Sequence, residues 1–194
     1  LFSEDSLKSN LPYDRIAGNV RIDPWLSELI AGDIKISEAW EARGSDFADT
    51  VTRNMLNEFQ SKLLTARNHL MKAWELNPEF PEAAARMITV AMGEGKKDEL
   101  RMWFDRSVAA EFDFPPAYTR YQQSIQSRWH GSSQKLFDFG KETLETRKFD
   151  SLAPLNYLKC LEEISRNSES FRDMLVKFPE LYSLVKEFYN SLAE

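Results

Sequence analysis

Residues suited to covalent or metal chemistry are scarce in this chain. Its 194 residues include one cysteine, Cys160, and two histidines, His69 and His130. A lone thiol forms no intramolecular disulfide and excludes a four-thiolate metal site. The histidines lie far apart with no H-E-x-x-H spacing, so no metal site is expected. Glycine is also sparse, seven in all, which disfavours tightly turned strands. No glycine loop able to cradle a phosphate or dinucleotide occurs, and no cofactor is expected. Basic residues never run longer than a pair, and 25 Lys and Arg against 31 Asp and Glu leave a net charge of −6. That balance argues against a nucleic-acid surface, which needs clustered positive charge. No apolar run approaches the ~18 residues that cross a bilayer, so direct membrane insertion by this segment is not expected. The opening LFSEDSLKSN lacks a signal pattern. With the single cysteine this favours a cytoplasmic chain, while Leu1 in place of methionine points to a fragment.

What is present has helical rhythm. Hydrophobic residues make up 42% of the chain, charged residues 29% and aromatics 12%, a balance that suits a soluble globular protein. The stretch Leu63 to Met87, LLTARNHLMKAWELNPEFPEAAARM, organises the rest. Ala66, Leu70 and Ala73 share one helical face, Asn77-Pro78 stops that helix and Pro81 opens the next. The grammar returns in LRMWFDRSVAAEFDFPPAYTRY: Phe104, Ser107, Phe114, Pro115, Ala117 and Arg120 each fall 34 positions after Leu70, Ala73, Phe80, Pro81, Ala83 and Arg86. A 34-residue period is that of tetratricopeptide hairpins.

In chain order, residues 1–22 read as a turn-rich arm and 23–194 as a single helical domain. Asp23-Pro24 opens a short helix that Gly32 ends, and Asp33 caps a second that runs to Gly44, a small hairpin. Asp49 or Thr50 caps a long spine helix from Val51 to Leu76, roughly 39 Å at 1.5 Å per residue. Its main stripe is Val51, Met55, Phe59, Leu63, Ala66, Leu70 and Ala73. A second row, Leu56, Leu64, Met71 and Trp74, implies cover on more than one side. Further helices are expected near Pro81–Met92, Lys97–Ala110, Pro115–Arg128, Ser132–Thr146, Leu152–Ser165, Ser168–Lys177 and Pro179–Leu192. The repeat core spans about 50–154. Residues 155–194 cap it, through faces carrying Leu155, Leu158, Leu161 and Ile164, then Leu181, Leu184, Val185 and Phe188.

Two clusters invite chemical readings. In Arg128-Trp129-His130-Gly131-Ser132-Ser133, Ser132 serves as a helix N-cap with Trp129 packed beneath, or the helix start forms an anion site flanked by Arg128 and His130. In Trp103-Phe104-Asp105-Arg106, the aromatics pack beside a surface ion pair, or Arg106 and Trp103 line a groove for a peptide carboxylate. Trp40 and Arg43, three apart on one helix, carry the same pair of readings. Glu142 with Glu145, and Glu162 with Glu163, read as solvated helix faces. No catalytic residue is assigned.

The Ala66-x3-Leu70-x2-Ala73-x4-Pro78 spacing resembles the second helix and closing proline of a tetratricopeptide repeat, whereas Ala84, Met87, Ile88 and Ala91 depart from its usual first helix. The strings AWEARG (Ala39–Gly44), ARNHLMKAWELNPEFPEAAARMITVAMG (Ala66–Gly93), WFDRSVAAEFDFPPAY (Trp103–Tyr118) and RWHGS (Arg128–Ser132) are similar to a bacterial domain family of unknown function built on such helices. That family's usual turn is Arg-Trp-Gly-Gly-Ser, from which His130 departs. The resemblance covers about Ile22 to Pro154 and implies fold rather than activity. The expectation is an all-α right-handed superhelix of antiparallel hairpins acting as a non-catalytic scaffold for a protein or peptide partner. Trp40, Arg43, Arg106, Arg128 and Trp129 are the candidate contacts. The rival is an enzyme or small-molecule sensor with a polar pocket near Arg128–Ser132 and Trp103–Arg106, and a third reading is self-association into a homo-oligomer.

Overall fold

The computed structural model describes residues 22–44, 52–129 and 131–192. Among these the chain forms nine α-helices and a 3-10 turn, with no strand, so the all-α class is correct. Nearly all of the expected arm, and the caps proposed at Asp49 and Thr50, fall outside the described residues.

Helix α1, Pro24–Arg43, begins where the Asp23 carboxylate accepts the Trp25 N–H at 2.8 Å, and Pro24 supplies a first-turn φ. It does not stop at Gly32. The expected pair of short helices is one 20-residue helix that ends at Gly44, whose φ is 78°. Gly32 is there for close approach: a Cβ on it would lie 2.5 Å from Leu70 Cγ. A glycine inside a helix costs only about 1 kcal/mol, which packing against a neighbour easily outweighs.

That neighbour is α2, Arg53–Leu76, capped by Thr52 Oγ1, which accepts the Met55 N–H at 3.3 Å. Phe59, Leu63, Ala66, Leu70 and Ala73 are all buried, as their four-and-three spacing requires. The two helices run antiparallel: Trp40 meets Phe59 with ring centroids 5.0 Å apart, Gly32 meets Leu70, and Glu28 reaches His69 at 2.6 Å. The second apolar row is not covered throughout. Met71 and Trp74 are partly buried, but Leu56 and Leu64 are 41% and 57% exposed.

The chain continues through α3 (Pro81–Gly93), α4 (Lys97–Ala110), α5 (Pro115–Ser124), a 3-10 turn (Ser127–Trp129), α6 (Ser133–Glu145), α7 (Leu155–Arg166), α8 (Phe171–Lys177) and α9 (Leu181–Leu192). Helix α4 has the expected ends. Helix α5 stops short of Arg128, where the chain tightens into the 3-10 turn, and α7 starts after Leu152, whose N–H is held by the Asp113 carboxylate at 2.9 and 3.0 Å.

Alternate helices form two layers. In the first, α3 touches both α1 and α5, with Arg86 bonded to Asp33 at 2.7 Å, and Gln122 of α5 reaches Asn156 of α7 at 3.2 Å. In the second, Arg67 of α2 bonds Glu99 of α4 at 2.8 Å, Trp74 meets Trp103 edge-on, and Arg101 of α4 bonds Glu142 of α6 at 2.6 Å. The layers join through the core, and the Ser107 hydroxyl donates to the Pro81 carbonyl at 2.9 Å. Four of the six pairs 34 apart share environments: Leu70 and Phe104, Ala73 and Ser107, and Ala83 and Ala117 are buried and Arg86 and Arg120 are half-buried, whereas Phe80 is exposed against a half-buried Phe114 and Pro81 is buried against an exposed Pro115.

The C-terminal helices close over α6, with Phe178 stacked on Phe137 at 4.3 Å and Leu181 and Phe188 buried. The buried seam of α7 is Tyr157, Cys160 and Ile164, one step round from the expected face, and Leu155, Leu158 and Leu161 are only partly covered. Gly140 of α6 sets this choice: a Cβ there would stand 3.0 Å from Cys160 Cβ, so α7 presents its 157–160–164 edge to the closest approach.

Candidate functional site

Helix α3 is the middle member of its layer, and its composition follows from that position. Ala83, Ala84, Ala85 and Ala91, with Met87, Ile88 and Val90, are buried against flanking helices, small residues permitting close approach. The remaining positions, Glu82, Arg86, Thr89 and Gly93, recur at steps of four, three and four, so they fall in one half-buried strip. From Glu82 to Gly93, eleven rises of 1.5 Å, the strip is about 16 Å long.

At Gly93 the helix packs on α2 and the aromatics beside it: a Cβ there would lie 2.6 Å from Leu63 Cδ1, 3.0 Å from Phe59 Cζ and 3.5 Å from Trp40 Cζ2, and Trp40 meets Trp129 edge-on at 5.3 Å. The Arg43 guanidinium stands 5.7 Å from the Trp40 ring and 5.6 Å from the Trp129 ring, a cation–π arrangement. Three candidate residues from distant parts of the sequence, Trp40, Arg43 and Trp129, thus come together.

The loop that delivers Trp129 is closed by its own backbone. The Trp129 and Gly131 N–H groups both donate to the Gln126 carbonyl at 2.9 Å, and the Ser132 N–H donates to the Ile125 carbonyl at 3.1 Å. Gly131 is needed here because a Cβ would fall 1.7 Å from that Ile125 oxygen. Ser132 is the α6 N-cap, accepting the Lys135 N–H at 3.1 Å. Arg128 is exposed, and His130 lies outside the described residues.

Arg106 sits elsewhere, in the second layer, over Trp74 at 4.4 Å and Trp103 at 4.5 Å. Beside it Trp103 and Phe104 are buried, and Arg101 pairs with Asp105 at 2.7 Å. The structure does not bring Arg106 to the Trp40–Trp129 wall.

The electrostatics of the first layer single out a residue that the sequence placed in the repeat without assigning it a role. Arg86 is neutralised by Asp33. Arg120, its counterpart one repeat on, has no carboxylate partner among the described residues and donates only to the Pro116 carbonyl at 3.4 Å. Burial, then the charge of Arg86, lowers its pKa from the ordinary arginine value, against the opposing charge of Asp33. Three further polar atoms, Glu82 Oε2 and the indole nitrogens of Trp40 and Trp129, are buried with no hydrogen-bond partner among the described residues. The signal in the sequence was an arginine that recurs where its aspartate does not.

A concavity of about 420 Å³ lies away from the strip, among the start of α4, the end of α5 and α6, lined by Lys97, Arg101, Tyr121, Trp129, Lys135 and Glu142. Its strongest charges are paired with each other. The bond to Glu142 first, and that to Asp105, raise the Arg101 pKa against the opposing effect of burial. Burial raises the Tyr121 hydroxyl. Among the described residues no three potential metal ligands converge, and no helix is long and apolar enough to cross a membrane. Cys160 is buried, which pushes its thiol up to about 12. These features define an all-helical protein of stacked hairpins with a polar strip on one layer. Comparison with protein-family models, curated proteins and solved structures finds no match.

Proposed function

We propose that this chain is a non-catalytic binding module, a right-handed tetratricopeptide-like superhelix that holds an extended protein or peptide segment along α3. It would then belong with the bacterial family of unknown function that its AWEARG and WFDRSVAAEFDFPPAY strings resemble, with His130 departing from that family's usual Arg-Trp-Gly-Gly-Ser turn. The observation that carries the reading is the strip Glu82–Arg86–Thr89–Gly93: a half-buried polar band flanked by α1 and α5, with Glu82 Oε2 buried and without a partner among the described residues. At ~3.3 Å per extended residue, 16 Å accommodates about five residues. Trp40 and Trp129 form an aromatic end-stop with Arg43 between them and the exposed Arg128 next to Trp129 in the chain, whereas Arg106 lies off this surface on the other layer.

The test is selection of peptides from a displayed random library against the full chain, followed by anisotropy titration. Thr89→Glu, which puts bulk and charge in mid-strip, should weaken binding at least tenfold. Gln60→Glu, exposed on α2, should leave it unchanged. A neutral Thr89→Glu would remove the reading. The charged cleft between α4 and α6 favours a second reading, an enzyme or small-molecule sensor, although Trp103 and Arg106 do not line it.

A further inference from the structure

The second layer holds an arginine that the α3 strip does not use. Arg106 rests in the corner of two indoles set at 86° to each other, Trp74 of α2 and Trp103 of α4, its guanidinium carbon 4.4 Å and 4.5 Å from their ring centroids. Trp103 is buried and its indole N–H donates to Glu99 at 3.2 Å, so the corner is fixed before any ligand arrives. Contact with the rings places the guanidinium without giving its N–H groups an oxygen acceptor. They make no hydrogen bond and no ion pair among the described residues. The acidic neighbours on α4 are engaged elsewhere, Asp105 with Arg101 at 2.7 Å and Glu99 with Arg67 at 2.8 Å.

Beside Arg106 an open groove of about 570 Å³ separates the C-terminal ends of α2 and α4, lined by Trp74, Pro78, Glu79, Arg106, Ala109 and Ala110. Ala109 and Ala110 follow Arg106 by three and four positions on the same helical face, and their short side chains leave this space open. Glu79 stands exposed in the same groove and forms no ion pair with Arg106. Its surroundings favour positive charge, because helix C-termini carry unbonded carbonyls, and Pro78 has no N–H to offer the Trp74 carbonyl four residues before it. The groove therefore presents a fixed cation and a separate carboxylate that do not satisfy each other.

We propose that this groove is a second binding site, for a compact zwitterion with the charge pattern of a free amino acid. Its carboxylate takes the Arg106 fork in two-point fashion and its ammonium lies at Glu79. A ligand of zero net charge also escapes the repulsion that a chain of net charge −6 exerts on a bare anion. The site lies on the opposite layer from the α3 strip and does not rest on the peptide-binding reading.

The full chain, labelled with nitrogen-15, is titrated with L-alanine and L-leucine as zwitterions, N-acetyl-L-alanine as the carboxylate alone and L-alaninamide as the ammonium alone. The arginine Nε–H and tryptophan indole N–H resonances are followed. Saturable shifts at Arg106, Trp74 and Trp103 are expected from at least one zwitterion, with either half-charged probe binding about tenfold more weakly or not at all. Arg106→Gln should abolish the response and Glu79→Gln should weaken it about tenfold, both with native helical circular dichroism. Should Arg106→Gln fail to fold, Glu79→Gln, at an exposed turn, decides. No saturable shift from either zwitterion up to about 50 mM, equal binding of N-acetyl-L-alanine or L-alaninamide, or an undiminished response in a folded Arg106→Gln or Glu79→Gln would overturn the proposal. Loss of selected-peptide binding in Thr89→Glu with the zwitterion response intact would show the two sites to be separate, as proposed.

Discussion

Gly32→Ala is a small perturbation whose effect the structure specifies. The new methyl would lie 2.5 Å from Leu70 Cγ and 2.6 Å from Leu70 Cδ2. Non-bonded carbons settle at about 3.5–4.0 Å, so the shortfall is on the order of 1 Å. Leu70 is fully buried and has no solvent to retreat into. Overpacking of this kind costs about 1–3 kcal/mol, while alanine returns about 1 kcal/mol of helix propensity, leaving a net loss of about 1 kcal/mol. Leu70→Ala alone should cost about 2–5 kcal/mol through the cavity it opens. Together the two changes relieve each other, because the clash disappears and the methyl enters the vacated space. Urea unfolding, followed by circular dichroism and tryptophan fluorescence, should therefore show the double variant more stable than the sum of single effects by about 1–2 kcal/mol. Additivity within about 0.5 kcal/mol would mean that α1 and α2 do not meet at this contact, and the reasoning would fail.

Other perturbations read different parts of the molecule. Gly131→Ala should destabilise by about 2–4 kcal/mol, because the methyl meets the Ile125 backbone and breaks the hydrogen bonds that close the loop; a shift in melting temperature below about 2 °C would refute it. Burial raises the Glu99 pKa, but Arg67 and Trp103 outweigh it and hold the carboxyl below its ordinary 4.5. Its stabilising contribution is thus present above pH 4.5 and lost as pH falls through the folded value, and Glu99→Gln should flatten that acid limb of the stability profile. With its thiol pushed up to about 12, Cys160 should resist alkylation at pH 8 until the chain unfolds, and rapid native labelling would contradict its burial.

Legibility in the sequence followed how local each determinant was. The spacing of Phe59, Leu63, Ala66, Leu70 and Ala73 specifies α2 by itself, and Pro81 and Pro115 mark starts that need no tertiary information. Gly32 was ambiguous because stop and close approach look alike in one dimension, and Leu70, far along the chain, decides between them. The seam of α7 was likewise open to two adjacent stripes until Gly140 selected Tyr157, Cys160 and Ile164. In the candidate site the residue types were visible, but the meeting of Trp40 with Trp129 was not, since no local pattern links the first helix to the loop after α5. Arg120 stood in plain view at the repeat spacing, and only the structure shows that Asp33 bonds Arg86 and not Arg120.

The strip on α3 is tested most directly by amide hydrogen exchange of the full chain with and without a saturating selected peptide. Slowed exchange should concentrate in α3 and α5 and around Trp129, with α2 and α8 unchanged. Protection confined to the start of α4 and to α6, where the charged cleft lies, or spread over the second layer, would contradict the account.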